Sequence, residues 1–207
     1  MLQIYHSPGT RGYRAIWACE ELNAPYEVIP TSFAAQFRAS SEWREKSPVG
    51  KLPIMTDGDM LMFESGAMVQ YILDKHGKGK LQPVPGTAQH ALYLQWGWFA
   101  ESTFARPLGE VVNHRRVFGD DGIAAVTDEM KSRARVCLAA VDEALQGKRY
   151  LLGEDFSGAD IMMAYTLRIY RRLVDEDFPD DAARYWADLM ERPACKATEE
   201  ADAAAVA

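Results

Sequence analysis

The chain has 207 residues, 48% of them hydrophobic and 26% charged, which predicts a globular protein and argues against a disordered or fibrous chain. Its formal net charge of -7, without a dense cluster of lysine and arginine, argues against nucleic acid as a partner. Because neither a secretory leader pattern nor a run of about 18 apolar residues occurs, we expect a cytoplasmic protein without a membrane partner.

The first 80 residues alternate short apolar runs with helical stretches, a pattern typical of an α/β domain. The Asp-Gly pair at residues 57 and 58 predicts a hairpin turn between two of the strands. The first two strands and the helix between them predict a βαβ unit. The predicted strands cover residues 2–5, 26–29, 52–55 and 60–63, and the predicted helices cover 12–22 and 68–76.

The second half of the chain is predicted to be helical. The stretch from Gly77 to Gly86 is rich in glycine and proline and is the expected linker. Apolar residues then recur at steps of three and four, most clearly between Asp121 and Leu145. Pro107 is expected to kink or end an earlier helix, because proline lacks the amide donor.

A helix start is predicted at Phe156-Ser157-Gly158-Ala159-Asp160-Ile161. Ser157 and Asp160 have the spacing of a capping box, and the flanking apolar residues have the spacing of a hydrophobic staple. We interpret this motif as structural, since both polar side chains satisfy amides at the start of a helix.

The cysteines Cys19, Cys137 and Cys195 are odd in number and far apart in the sequence. Without a C-x-x-C pair, a disulfide framework or a thiolate metal site lacks its ligands. We interpret them as small apolar residues and predict no bound metal.

The first candidate site lies at the start of the third strand. Pro53 leaves the preceding residue extended, with an unpaired amide and carbonyl to which an extended ligand backbone can bind. The local sequence alone does not predict a cis bond, since about 5% of such bonds are cis.

The second candidate is Glu64-Ser65, between a strand and a helix. A carboxylate beside a hydroxyl and free helix amides matches the two ends of an α-amino acid. The alternative is that Ser65 is a helix cap and Glu64 an acid near the positive helix end.

The third candidate is the turn from His6 to Gly12. It brings the Thr10 hydroxyl and the Arg11 guanidinium to a helix start, where both would stabilise a thiolate. The alternative is that Thr10 only caps the helix.

The chain resembles the glutathione transferase superfamily in these segments. The likeness is carried by SPGTRGYRA, by SPVGKLPIMTDGDMLMFESGAMVQYILDKHG and by FSGADI, and it covers nearly the whole chain. It implies a thioredoxin-like N-terminal domain over residues 1–80, an all-helical C-terminal domain over 86–207, a cis bond before Pro53 and a homodimer.

The resemblance also implies that glutathione is the co-substrate. The backbone of Leu52 beside Pro53 would bind the cysteinyl unit of glutathione. The Glu64 carboxylate and the Ser65 hydroxyl would bind its γ-glutamyl end. The cations of Lys51 and Arg38 would bind its glycyl end.

Thr10 stands where part of this superfamily has a catalytic serine. The extra methyl group restricts the threonine rotamer and favours a hydrogen bond to the local backbone. Tyr5 and Ser7 are therefore kept as alternatives, and Arg11 is expected to stabilise the thiolate. No cysteine lies in this turn, which disfavours the cysteine-dependent branch of the superfamily.

A second pocket, for an apolar electrophile, is expected between the N-terminal turn and the first helices of the second domain. Its candidate residues are Phe99, Thr103, Phe104 and Arg106. The alternative is that the aromatic residues are bundle core and the arginine is solvated.

Several functions are compatible with these patterns. The favoured one is an enzyme that conjugates the glutathione thiolate to an electrophile in detoxification. The alternatives are a non-catalytic ligand-binding or protein-interaction relative, and a glutathione-dependent peroxidase, isomerase or dehalogenase.

Overall fold

The computed structural model describes the whole chain apart from the side chain of residue 120. Its packing divides into two compact units. The first combines Met1–Lys80 with Met190–Ala207, and the second is Leu81–Leu189. The boundary after residue 80 lies in the segment from Gly77 to Gly86, and the last 18 residues, predicted to belong to the second domain, pack with the first unit.

The N-terminal part of the first unit contains the predicted strands and helices in the predicted order, with two further short helices between the second and third strands. Its elements are β1 Leu2–His6, α1 Gly12–Leu22, β2 Tyr26–Pro30, α2 Ala35–Ala39, α3 Ser41–Lys46, β3 Ile54–Asp57, β4 Met60–Phe63 and α4 Ser65–His76. The βαβ unit and the hairpin are confirmed.

The strands form one mixed sheet in the order β2-β1-β3-β4. β1 is parallel to β2 and antiparallel to β3, which is antiparallel to β4. In β1 the residues Leu2, Ile4 and His6 are buried and the two between them are partly exposed, as the alternation of a strand requires. α1 packs against β1 and α4.

The second unit is helical, as predicted. Its elements are α5 Ala88–Trp98, a π-helix Phe99–Phe104, α6 Ala105–Phe118, a 3-10 turn Gly119–Asp121, α7 Ala124–Ala144, α8 Gly158–Val174 and α9 Asp180–Met190. No helix among the described residues is long and apolar enough to cross a membrane.

Pro107 lies in the first turn of α6, just after the π-helix. Because proline has no amide hydrogen, it cannot bond the carbonyl of Thr103 four residues earlier. The thiol of Cys137 lies 4.0 Å from that carbonyl oxygen, in a donating position. The predicted irregularity is therefore a wide helical turn before Pro107, and the helix continues after it.

The predicted capping box at the start of α8 is present. The fully buried Asp160 carboxylate accepts hydrogen bonds from the Ser157 amide at 2.8 Å and the Leu151 amide at 3.0 Å. The Tyr185 hydroxyl of α9 also donates to it, at 2.8 Å. Burial raises the pKa of Asp160, and the donors act in the opposite direction. One side chain thus ties α8 to the preceding loop and to α9.

The last helix, α10 Pro193–Ala204, packs against α1. The Arg192 guanidinium donates to both carboxylate oxygens of Glu21, at 2.6 and 2.7 Å. The Tyr13 hydroxyl donates to Glu199 at 2.7 Å. The helix continues through Ala204, and its polar face is bonded to α1.

Replacing Asp160 by alanine is expected to lower the free energy of unfolding by more than about 3 kcal/mol, because buried donors lose their acceptor. Urea unfolding measures the change. Asp188→Ala is the matched control, since Asp188 forms a half-exposed ion pair with Arg149 at 3.4 Å and its removal should cost less than about 1 kcal/mol. Equal losses in the two variants would contradict the role given to Asp160.

Candidate glutathione site

The sheet brings the three candidate segments to one end of the first unit. Tyr5 of β1 pairs with Ile54 of β3, and Ile54 pairs with Phe63 of β4. The neighbouring residues in sequence therefore lie at the same edge of the sheet. They are His6 at the end of β1, Pro53 before β3 and Glu64 after β4.

The turn after β1 is closed by Thr10. Its amide donates to the Ser7 carbonyl oxygen at 3.1 Å, and its hydroxyl donates to the same oxygen at 2.8 Å. The Thr10 hydroxyl oxygen also lies 3.0 Å from Nδ1 of His6. The hydroxyl is thus turned toward the local backbone, as the extra methyl group led us to expect.

The His6 ring connects this turn to the end of the chain. It is completely buried, and its Nε2 lies 2.8 Å from Oδ1 of Asp202 in α10. The Gly9 amide donates to the same oxygen at 2.9 Å. Asp202, near the C-terminus, therefore holds both the His6 ring and the turn after β1.

Gly12 provides the space for the His6 ring at the start of α1. A Cβ at this position would lie 2.3 Å from Nδ1 of His6, much closer than atoms can approach. A side chain at residue 12 would therefore displace the ring from Thr10.

The loop before β3 is held by the buried Ser47 side chain. Its hydroxyl donates to the Lys51 carbonyl oxygen at 2.8 Å and accepts from the Lys51 amide at 2.9 Å. The Leu52-Pro53 bond is cis, which confirms the expectation from the resemblance. Leu52 is half-buried and precedes β3, and the Lys51 side chain is exposed.

The start of α4 has an unusual backbone. Glu64 is exposed and has φ of 76°, a conformation that residues other than glycine rarely adopt. Strained residues of this kind concentrate at functional sites. The first bond of α4 is donated by the Met68 amide to the Glu64 carbonyl, so the amides before it point out of the helix end. The buried Ser65 hydroxyl accepts a hydrogen bond from Arg14 at 3.1 Å.

Tyr5 lies on the other face of the sheet. Its ring centroid is 6.1 Å from that of Trp43, and the Lys46 ammonium is 5.3 Å from its centre. It lines a recess with Phe37, Ile29 and other residues between the sheet and α3. Because successive strand residues face opposite sides, Tyr5 points away from the side of His6 and Thr10.

The two predicted arginines differ in their surroundings. Arg38 of α2 donates to the Phe33 carbonyl oxygen at 3.0 Å, and its guanidinium lies 4.3 Å from the centre of the Phe33 ring. Arg11 is half-buried at the N-cap position of α1, next to Thr10. Arg11 thus shares the turn with Thr10, whereas Arg38 is engaged with its own loop.

The residues predicted for the electrophile pocket follow one another in the second unit. Phe104 is completely buried, with its ring centroid 6.3 Å from that of Phe99 and 5.8 Å from that of Tyr170. Thr103 and Arg106 are exposed. Phe104 is therefore core, and the pocket stays a prediction.

The cysteines are all buried and free of disulfides. Burial, with a contribution from Glu20, raises the pKa of Cys19 to about 12, so this thiol is protonated at neutral pH. Burial also raises the pKa of Cys137. Their interpretation as small apolar residues agrees with these surroundings.

Family comparison agrees with the fold. The family described as glutathione S-transferase, N-terminal domain, matches residues 1–74. The family described as glutathione S-transferase, C-terminal domain, matches residues 124–197. The chain belongs to the glutathione transferase superfamily.

Individual glutathione S-transferases are similar to most of the chain. The chain is 30% identical to glutathione S-transferase 4 of Zea mays over 87% of its own length and 83% of that protein. It is 26% identical to glutathione S-transferase 3 of Schizosaccharomyces pombe, over 97% and 87% of the two chains.

Solved structures show the same fold. A glutathione transferase of Phanerochaete chrysosporium with oxidized glutathione superposes with a TM-score of 0.87 at 24% identity, covering 98% and 95% of the two chains. A family member from Pseudomonas fluorescens with two glutathione bound gives a TM-score of 0.82 at 27% identity, covering 96% and 92%.

Sequence reasoning assigned no role to several residues near the candidate site. They are His6, Gly12, Arg14 and Asp202, which hold the turn and Ser65 in place. One signal was available in α10, where Arg192, Cys195, Glu199 and Asp202 recur at steps of three and four and so share one helix face. The partner of that face was not predictable from the spacing.

Gly12→Ala is expected to lower the free energy of unfolding by about 1 to 3 kcal/mol, because the new methyl group overlaps the His6 ring. Gly109→Ala is the matched control: this helical glycine has open space around its Cβ position, and alanine should stabilise the helix by up to about 1 kcal/mol. Thermal unfolding of both variants measures the difference. A stabilised Gly12→Ala protein would contradict the close ring contact.

Proposed function

We propose that this protein binds glutathione at the edge of its sheet and uses the thiolate to attack an apolar electrophile. The observation that carries the proposal is the strand register, which brings the turn of Thr10, the cis Pro53 and Glu64-Ser65 to one end of the first unit. The relatives named glutathione S-transferases, and the relative crystallised with two glutathione bound, support it.

The site matches the two ends of the tripeptide. The exposed Glu64 carboxylate suits the γ-glutamyl ammonium, and the Ser65 hydroxyl with the first amides of α4 suits its carboxylate. The backbone of Leu52, which lies outside the β3 ladder, has the chemistry to pair with the cysteinyl backbone. Lys51 is exposed and suits the glycyl carboxylate. Arg38 is a weaker candidate for this end, since it binds Phe33.

Thiolate formation is assigned to the start of α1. A free thiol has a pKa of about 8.5, and each unit by which this pKa falls corresponds to about 1.4 kcal/mol of stabilisation of the thiolate relative to the thiol. The helix amides, the Thr10 hydroxyl and the Arg11 guanidinium all favour the anion at this position. Ser7 and Tyr5 are the less favoured hydroxyls, because Ser7 contributes its carbonyl to the turn and Tyr5 faces α3.

One observation favours the alternative of a non-catalytic relative. The Thr10 hydroxyl is already hydrogen-bonded to Ser7, so the turn is satisfied without a ligand. Incubation with glutathione and a panel of aryl halides, epoxides, enones and hydroperoxides separates the functions. Products from the first three classes support conjugation, whereas hydroperoxide reduction alone supports a peroxidase. Glutathione binding without any product supports the non-catalytic function.

The proposal includes a cytoplasmic homodimer. The family resemblance implies the dimer, and the sequence patterns imply the location. Sedimentation of the purified protein measures the oligomeric state, with a dimer of the 23.2 kDa chain expected.

Glu64→Ala and Ser65→Ala are each expected to weaken glutathione binding by about tenfold or more, because a charge-assisted hydrogen bond contributes about 1.5 to 3 kcal/mol. Isothermal titration calorimetry measures the dissociation constants. Asp59→Ala is the control, since this exposed acid lies in the hairpin turn at the opposite end of the sheet. Unchanged affinity in both site variants would rule out the assigned γ-glutamyl subsite.

Thr10→Ala is expected to lower kcat by about a hundredfold with little change in glutathione affinity, since one donor to a developing anion is lost. Thr10→Ser should retain most of the activity, because it keeps the hydroxyl and removes the methyl group. Steady-state kinetics with the best electrophile of the panel test both variants. Normal turnover by Thr10→Ala would show that another group activates the thiol.

A further inference from the structure

A buried histidine separates a hydroxyl from a carboxylate in the first unit. Nε2 of His6 lies 2.8 Å from Asp202, and Nδ1 lies 3.0 Å from the Thr10 hydroxyl. The ring is completely buried and Asp202 is 5% exposed. A hydroxyl, an imidazole and a carboxylate in this order are the parts of a proton relay.

The hydrogen bonds fix the tautomer of the ring. A carboxylate oxygen only accepts, so Nε2 of His6 carries a hydrogen and donates it to Asp202. In the neutral ring Nδ1 then has a lone pair, and it faces Thr10. The single hydrogen of the Thr10 hydroxyl has two acceptors within reach, this nitrogen and the Ser7 carbonyl oxygen.

We propose that His6 is the internal base that accepts the thiol proton of bound glutathione through the Thr10 hydroxyl, and that Asp202 positions it. This inference rests on the proposed function, in which the sulfur lies at Thr10. His6 acts through Thr10 and does not itself touch the substrate.

The proton transfer balances without another reactant. The S–H bond breaks and its proton forms a new O–H bond with Thr10, while the electron pair stays on the sulfur. The original Thr10 proton moves to Nδ1 of His6. The products are a thiolate, an intact threonine hydroxyl that donates to it, and an imidazolium whose two N–H groups donate to Thr10 and Asp202.

The fold holds the relay in one geometry. Gly12 leaves room for the ring at the start of α1, and the Gly9 amide fixes the Asp202 oxygen that the ring binds. The carboxylate stabilises the imidazolium formed by the transfer, because their charges are opposite and buried together. The proton of the thiol is therefore retained by the protein when the thiolate forms.

Proton counting on the whole protein tests the relay. Glutathione is titrated in two buffers of different ionisation enthalpy, and γ-glutamyl-alanyl-glycine, which lacks the thiol, is titrated in parallel. Ultraviolet absorbance measures the thiolate formed. In the wild type we expect a thiolate without net proton release beyond that of the alanyl peptide. The nitrogen-15 shifts of His6 should move to those of a doubly protonated ring with glutathione and stay unchanged with the alanyl peptide.

His6→Asn retains a polar side chain that cannot accept the proton. We expect each thiolate that still forms to be accompanied by the release of one proton to the buffer. We also expect kcat to fall by about a hundredfold, with the KM for glutathione little changed. Should His6→Asn fail to fold, Asp202→Asn makes the same comparison, because the amide keeps an acceptor for Gly9 but loses the charge.

Glu199→Gln is the control for the docking of α10. Glu199 lies on the same helix as Asp202, and the substitution alters its bond to Tyr13 of α1 without touching the relay. It is expected to match the wild type in proton count and kcat. If Glu199→Gln changes both as Asp202→Asn does, the effect belongs to helix docking and the relay is refuted.

Two outcomes separate the relay from the proposed function. If the wild type releases one proton for each thiolate, or if His6→Asn keeps the wild-type proton count and kcat, the relay is overturned while the transferase function stands. If bound glutathione forms no thiolate in the wild type, both the proposed activation of the thiol and the relay are wrong.

Discussion

The pairing of β1, β3 and β4 is the constraint on which the site depends. Tyr5, Ile54 and Phe63 stand side by side in the ladder, so the residues that follow or precede them meet at one edge. A shift of one residue in this register would turn each strand's side chains to the opposite face. The same pairing therefore determines both the core and the arrangement of the site.

The site is formed mostly by short side chains and backbone groups at two helix starts. α1 and α4 pack against each other, and Arg14 near the start of α1 binds the Ser65 hydroxyl at the start of α4. Helix starts carry partial positive charge and amides that point outward. An anionic peptide is thus the kind of ligand that this edge of the sheet suits, and rigid elements hold the groups that would bind it.

The end of the chain completes the first unit. Arg192 at the N-cap of α10 and Glu199 and Asp202 within it each bind a different part of α1, or the end of β1 and the turn that follows it. The last of these contacts reaches the fully buried His6. The geometry around Thr10 therefore depends on residues that are distant in sequence, which explains why a local motif describes the turn incompletely.

The sequence by itself determined four strands, most of the helices and the helix start at Ser157 and Asp160, because strand alternation, helix spacing and capping signals are local. The resemblance of three motifs indicated the family and the candidate segments. The short helices α2 and α3 were not predicted. Only the tertiary structure decided where the Thr10 hydroxyl points, that Tyr5 faces α3, and that residues 190–207 pack with the first unit. Such contacts depend on which faces meet across the fold. The spacing of residues along the chain does not specify these partners.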